Sequence, residues 1–212
     1  MLAESCYFNM FGGCTSLTSA PALPATTLAN SCYFSMFSFC SNLTQAPALS
    51  ATTLANSCYS SMFYGCSNLS SAPDLPATTL AYSCYEGMFS DCSSLTQVPA
   101  LPATTLATRC YSSMFYGCSN LSSAPNIKAY TPNLGAFAYM LCEFDYNTYE
   151  WGQLSACTWN DLIIAEVESM VLNESIFGDD NPGPGIRINI TCKDGSGVVY
   201  YDSENLSWVF EY

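Results

Sequence analysis

An α/β solenoid of 26-residue repeats is the fold class the sequence predicts, and three observations predict it. Cys6, Cys32, Cys58, Cys84 and Cys110 stand 26 residues apart, as do Met10, Met36, Met62, Met88 and Met114, and Cys14, Cys40, Cys66, Cys92 and Cys118. No insertion or deletion breaks that register, and a fixed period of roughly 20 to 50 residues marks an array whose units bury their apolar faces against one another. The first half of each copy carries apolar residues four apart, and the second half is a short Leu- and Pro-containing segment of extended character.

The third copy is the clearest, LANSCYSSMFYGCSNLSSAPDLPATT at 54–79. Leu54, Cys58, Met62 and Cys66 form one row, and Ala55, Tyr59 and Phe63 a second beside it, so the spacing predicts an amphipathic helix over 54–64. The preceding Pro and Thr residues (24–27, 76–79, 102–105) suit a turn and a Thr N-cap. Gly13, Gly65 and Gly117 fall where a left-handed residue ends a helix. Phe39 and Asp91 take that place in the other copies, and a phenylalanine there implies strain if the backbone is left-handed.

The second halves (17–23, 43–49, 69–75, 95–101, 121–127) read as parallel strands of about three residues, because a proline in the middle forbids a long ladder. Residues between the framework positions are then expected on the strand side, in a concave row of Thr18, Ser19, Thr44, Gln45, Ser70, Ser71, Thr96, Gln97, Ser122 and Ser123. Asp74 and Asn126 join it from the neighbouring column, whose other members are alanines. This row is the candidate binding surface. No acid, base and nucleophile converge on it, so the sequence offers no catalytic residues.

Composition narrows the function classes. The net charge is −13, divided as −3 over residues 1–125 and −10 over 126–212, a break that places a domain boundary near 127. Such a surface repels phosphate backbones, which argues against nucleic-acid and anionic-membrane partners. The absence of histidine excludes Ser-His-Asp and Cys-His catalysis and every His-ligated metal site. There is no run of 18 apolar residues and no signal-like start, and Met1 falls in mid-repeat, so a fragment of a longer exported precursor is expected.

Thirteen cysteines invite disulfides or zinc. On helices, Cys58 and Cys66 would lie roughly 12 Å apart, and equivalent cysteines of neighbouring helices about 8 to 10 Å apart. Both exceed the disulfide limit of about 7 Å between Cα atoms. Zinc would need CxxC-like spacing, which is lacking. The ten array cysteines therefore read as buried thiols that pack as small hydrophobes, with no metal and no other cofactor implied. Cys142, Cys157 and Cys192 lie outside the array, and two of them could pair.

At this point the pattern MFxxCxxLxxAPxLPATTLAxxCYxxMF resembles the leucine-rich repeats of the BspA-like class of bacterial surface proteins, over residues 1 to about 127. The resemblance implies a leucine-rich-repeat solenoid with short parallel strands and convex helices. It also implies a cell-surface or extracellular location, and attachment to proteins or glycans of host or neighbouring cells. Two departures stand out: the strand positions are partly Ala and Pro, and no anchor or secretion signal is present.

The remainder, 128–212, is expected to cap the array. Residues 134–141 keep Met140 26 positions after Met114 and read as a decayed sixth helix that closes the array. Residues 154–172, with Trp159, Leu162, Ile163, Val167 and Met170, predict an amphipathic helix. Residues 178–185 predict a loop, and 186–192, 198–202 and 207–212 a three-stranded antiparallel meander. Asp179, Asp180 and Asn181 offer oxygen ligands to calcium without the spacing of a known calcium loop, and a solvated acidic turn is the simpler reading. Trp151, Trp159, Tyr200, Tyr201, Trp208 and Tyr212 offer a sugar-stacking platform, against the simpler reading as core. Asn42, Asn68, Asn120, Asn173, Asn189 and Asn205 head N-x-S/T triplets in a chain where those residues are common.

Together these readings predict a non-enzymatic bacterial surface protein that mediates adhesion or protein recognition. The alternative is a structural spacer or phage-borne fibre module whose C-terminal part binds the ligand. A third reading, a hydrolase, requires two carboxylates about 5 to 9.5 Å apart in a cleft.

Overall fold

The computed structural model describes residues 2–122, 125–127, 136, 137, 140, 142–145, 150–153, 162–164, 187–192, 195–202, 205 and 207–211. Ser123, Asn173, Cys157, Trp159, Tyr212 and the 178–185 loop with Asp179, Asp180 and Asn181 lie outside the described residues.

The 26-residue copies form coils that stack on one another, but their first halves are not helices. Residues 56–65 and their counterparts are a succession of turns, and none of the described residues is helical. The cause is a left-handed residue at every fourth position. Ser57, Ser61 and Gly65 have φ of 53°, 54° and 70°, and the other copies repeat this at Ser5, Asn9 and Gly13, at Ser31, Ser35 and Phe39, at Ser83, Gly87 and Asp91, and at Arg109, Ser113 and Gly117. Such residues cannot propagate a right-handed helix. The expected helix over 54–64 is thus replaced by a turn ribbon.

The hydrogen bonds of the ribbon alternate. The amides of Phe8, Met10, Gly12 and Cys14 donate backward to the carbonyls of Ser5, Tyr7, Asn9 and Phe11 and close the local turns. The intervening amides of Ser5, Tyr7, Asn9, Phe11 and Gly13 donate forward to Asn30, Cys32, Phe34, Met36 and Ser38 of the next coil, at 2.8–3.0 Å. The second, third and fourth coils repeat the scheme, so the alternate carbonyls of those ribbons accept either a local or an inter-coil amide.

Between coils the side chains stack in columns. Tyr7, Tyr33, Tyr59, Tyr85, Tyr111 and Phe137 form one, with ring centroids 5.5 to 6.2 Å apart. Phe11, Phe37, Phe63, Phe89 and Phe115 form another at 5.4 to 5.8 Å. The methionine column and the leucines at 43, 69, 95 and 121 complete a continuous core. Met140 is buried, and the carbonyls of Ala136 and Met140 accept from Tyr111 and Phe115, so the columns extend into a sixth coil, in which Ala136, Phe137 and Met140 are turn residues and not the helix expected over 134–141.

The second halves touch through single parallel bridges, Leu23 with Leu49 and Gln45 with Ser71, and the turns that precede the ribbons through Thr27 with Thr53 and Thr79 with Thr105. These contacts are shorter than the three-residue strands expected, because the prolines leave few amides free to pair.

The first strand is β1 (Asn126–Ile127), two residues long. It pairs in parallel with β4 (Leu162–Ile164), which pairs in parallel with β5 (Arg187–Cys192), and β6 (Gly195–Asp202) and β7 (Ser207–Glu211) follow in antiparallel order. A separate hairpin joins β2 (Cys142–Asp145) to β3 (Glu150–Gln153). The helix expected over 154–172 is contradicted at its centre: Leu162–Ile164 is a strand, in keeping with the β-branched pair Ile163–Ile164. In the meander, β6 begins at Gly195 rather than 198, since Gly195, Ser196 and Gly197 pair with Cys192, Thr191 and Ile190.

Candidate recognition surface

The ten array cysteines are free thiols. The helix spacing anticipated above does not account for this: coils joined by backbone hydrogen bonds lie about 4.8 Å apart, inside the range of about 4.4 to 6.8 Å that a disulfide allows between Cα atoms, so distance alone does not keep stacked cysteines apart. The second cysteine of each copy also does more than pack. The thiols of Cys40, Cys66, Cys92 and Cys118 donate to the carbonyls of Phe11, Phe37, Phe63 and Phe89 of the preceding coil, at 3.0 to 3.1 Å. Burial pushes the Cys58, Cys66 and Cys110 thiols up to about 12, and Cys84 and Cys92 upward as well. These protonated groups are unsuited to nucleophilic work. Among the described residues no group of three or more Cys, Asp or Glu is placed to hold a metal ion.

The strand-side row is exposed where it is described: Thr18, Ser19, Thr44, Gln45, Ser70, Ser71, Asp74, Thr96, Gln97 and Ser122 all face solvent. Part of it belongs to the scaffold. The hydroxyls of Ser70 and Ser122 donate to the Thr44 and Thr96 carbonyls of the preceding coil, at 3.4 and 2.9 Å. Asn68 likewise donates to the side chain of Asn42 at 3.4 Å, and Asn120 to the Ser93 carbonyl at 2.7 Å. Asn126 is placed in β1, and Ser123 is not described.

The turn ribbon carries a second surface that the sequence reading passed over. Phe34, Ser57, Ser60, Ser61, Tyr82, Ser83, Glu86 and Arg109 line an open groove of about 390 Å³. Arg109 donates to Glu86 across two coils' edges at 2.7 Å. Tyr82 stands 49% exposed at the margin, and the buried hydroxyl of Ser83 has no hydrogen-bond partner. An aromatic face, a hydroxyl-lined floor and a paired guanidinium and carboxylate can grip a polar chain by stacking and hydrogen bonding.

A signal for this groove is present in the sequence as variation between copies. The framework columns repeat almost without change, but the column of Glu4, Asn30, Asn56, Tyr82 and Thr108 does not, nor does that of Phe8, Phe34, Ser60, Glu86 and Ser112. Arg109 interrupts a column of four serines. A helix would also place Tyr82 and Glu86 on one face, but it is the inter-coil stacking of the ribbon that brings Arg109 beside them.

The C-terminal aromatics do not gather on one element. Trp151 lies in the two-stranded hairpin, and Tyr201 is the register partner of Trp208 in the larger sheet. No family model, no curated protein and no solved structure matches this chain.

Proposed function

We propose that this chain is a non-enzymatic recognition protein of a bacterial cell surface, built as a variant of the BspA-like leucine-rich-repeat solenoid with a turn ribbon in place of convex helices. Its stacked coils are a scaffold, and its ligand is a protein or glycan carried by host or neighbouring cells. The observation that carries this reading is the contrast between an invariant core and a local departure from the repeat at Tyr82, Glu86 and Arg109, where the groove opens. The surface location rests on the sequence resemblance.

The repeat supplies its own neutral substitutions. Tyr82→Asn, Glu86→Ser and Arg109→Ser each install the residue found at the same position of other copies, so the triple variant keeps the framework. Glycan and peptide arrays are probed with the wild type, this groove variant, and a strand-row variant carrying Gln45→Ser, Asp74→Ala and Gln97→Ser. Ligands retained by the row variant and lost by the groove variant are expected. Loss confined to the row variant would move the site to the strand side, and arrays without any ligand preferring the wild type to both would sink the reading.

A further inference from the structure

The thickness of the groove between Phe34 and Glu86 can be read from the stack. In the column Phe8, Phe34, Ser60, Glu86 and Ser112 the side chains shrink to a serine on the third coil and lengthen again on the fourth. Phe8 covers one face of the Phe34 ring, with centroids 5.1 Å apart and planes inclined by 5°. The aromatic stack stops there, because Ser60 brings no ring, and Phe34 becomes a wall of the groove. Coils lie about 4.8 Å apart, so Phe34 and Glu86 stand roughly 10 Å apart across the level of Ser60. One ring fits between them, stacked on Phe34 as Phe34 is stacked on Phe8. Two rings do not.

The rim of this slot is polar. Ser57, Ser60, Ser61 and Ser83 bring hydroxyls to it. Ser83 is 2% exposed and its hydroxyl has no hydrogen-bond partner, the mark of a buried group whose partner comes from outside the chain. Across from Phe34, Glu86 and Arg109 meet at 2.7 Å, a carboxylate and a guanidinium that can each bond more than one group. An apolar side chain of a protein partner would fill the slot and bury these hydroxyls unpaired, which costs binding free energy. A sugar acid would compete with Glu86 for Arg109, and an amino sugar with a free ammonium would compete with Arg109 for Glu86; either leaves a charge of the pair without its partner. A pyranose ring without charge meets every demand, with C–H groups on its face and hydroxyls around its edge. We infer that the groove holds one neutral hexopyranose unit of a glycan, its C–H face on Phe34, Tyr82 at its flank, and its hydroxyls bonded to the serines and to the Glu86–Arg109 pair. This assignment rests on the groove being the recognition site and adds to it the class of ligand.

Saturation-transfer difference NMR on the full 212-residue chain tests it. The probes are the methyl glycosides of glucose, galactose, mannose and N-acetylglucosamine, with glucuronic acid and N-acetyltryptophanamide as the charged and aromatic comparisons. At least one neutral glycoside should bind with a dissociation constant of about 1 mM, the strength open to so small a ligand, and its ring C–H protons should be saturated most. Ser60→Phe gives the third coil the residue of the first two and should abolish that binding with the circular dichroism spectrum unchanged. Ser83→Ala should weaken it about fivefold while the melting temperature stays level or rises, whereas a hydroxyl of purely structural use would lower the melting temperature and leave binding alone. Absence of binding by all four glycosides, or preference for glucuronic acid or N-acetyltryptophanamide over them, overturns the sugar assignment. If the preferred comparison probe is lost in Ser60→Phe, the groove itself stands as the recognition site. Glycoside binding untouched by Ser60→Phe, by Ser83→Ala and by the triple variant at Tyr82, Glu86 and Arg109 overturns the assignment and the groove together.

Discussion

Tyr85 sets its ring in the long aromatic column and leaves its hydroxyl without a hydrogen-bond partner in the core. Desolvation accordingly pushes its ionisation upward, with the neighbouring Cys84 adding to the effect. The column already tolerates the ring alone, since Phe137 stacks on Tyr111 with centroids 6.2 Å apart. An unpaired buried hydroxyl costs about 1 to 3 kcal/mol, so Tyr85→Phe should raise the urea-unfolding free energy by roughly 1 kcal/mol. A loss of stability would show that the hydroxyl is bonded. Cys92 shows the limit of reading single residues from a pattern. Its spacing places it in the core, where it is found, but the bond from its thiol to the Phe63 carbonyl depends on a 29-residue offset between coils that only the stacked backbone defines.

At the scale of the element, the turn ribbon explains what was legible and what was not. A four-residue recurrence of apolar side chains fits a helix of 3.6 residues per turn well enough to suggest one. It fits a four-residue turn as well, and the column of Ser, Ser and Gly at 57, 61 and 65 is the mark that separates the two. Serine is not a strong left-handed former, so only the glycine third of that mark stood out, and it resembled an ordinary helix stop. Phe39 is the exception that the sequence did flag. It sits at φ 57°, 55% exposed, with its ring edge against Tyr64 and over Gly65, where an added Cβ would come within 2.7 Å of it. Left-handed geometry costs a non-glycine residue about 1 to 2 kcal/mol, more than a half-exposed ring contact returns. Phe39→Gly should therefore stabilise the array by about 1 kcal/mol. Gly65→Ala should destabilise it, and less so in the Phe39→Gly background; additive effects in that double-mutant cycle would show that the two positions do not touch.

For the molecule as a whole, the buried thiols set a limit at alkaline pH. Folding holds Cys58, Cys66 and Cys110 protonated up to about 12, chiefly by desolvation, against an ordinary value of 9.0. A folded-state value above the unfolded one means that the native form binds the proton more tightly. The associated stability is thus complete below pH 9 and is lost as the pH climbs toward 12. Each such thiol withdraws about 1.4 kcal/mol per pH unit in that window. Thermal melts followed by circular dichroism should show a midpoint that is flat from pH 6 to 8.5 and falls steeply above 9, and a midpoint unchanged at pH 10.5 would contradict this burial. The array's register could be read off the sequence because 26 residues recur without a gap. The C-terminal third has no such repetition to lean on. There Leu162, Ile163 and Ile164 suit a helix by spacing and a strand by branching, and pairing with Ile190, Thr191 and Cys192, distant in sequence, decides between them.

The forward-running amides of the ribbon have an electrical consequence. Their bonds all point from one coil to the next, so the peptide dipoles involved add along the stack instead of cancelling as they do in most sheets. The negative side of each coil faces the coil before it, and the positive side faces the direction in which the chain continues. The segment that follows, residues 126–212, carries a net charge of −10. Within the described coils the field therefore favours cations on the acceptor side of each coil and anions on its donor side.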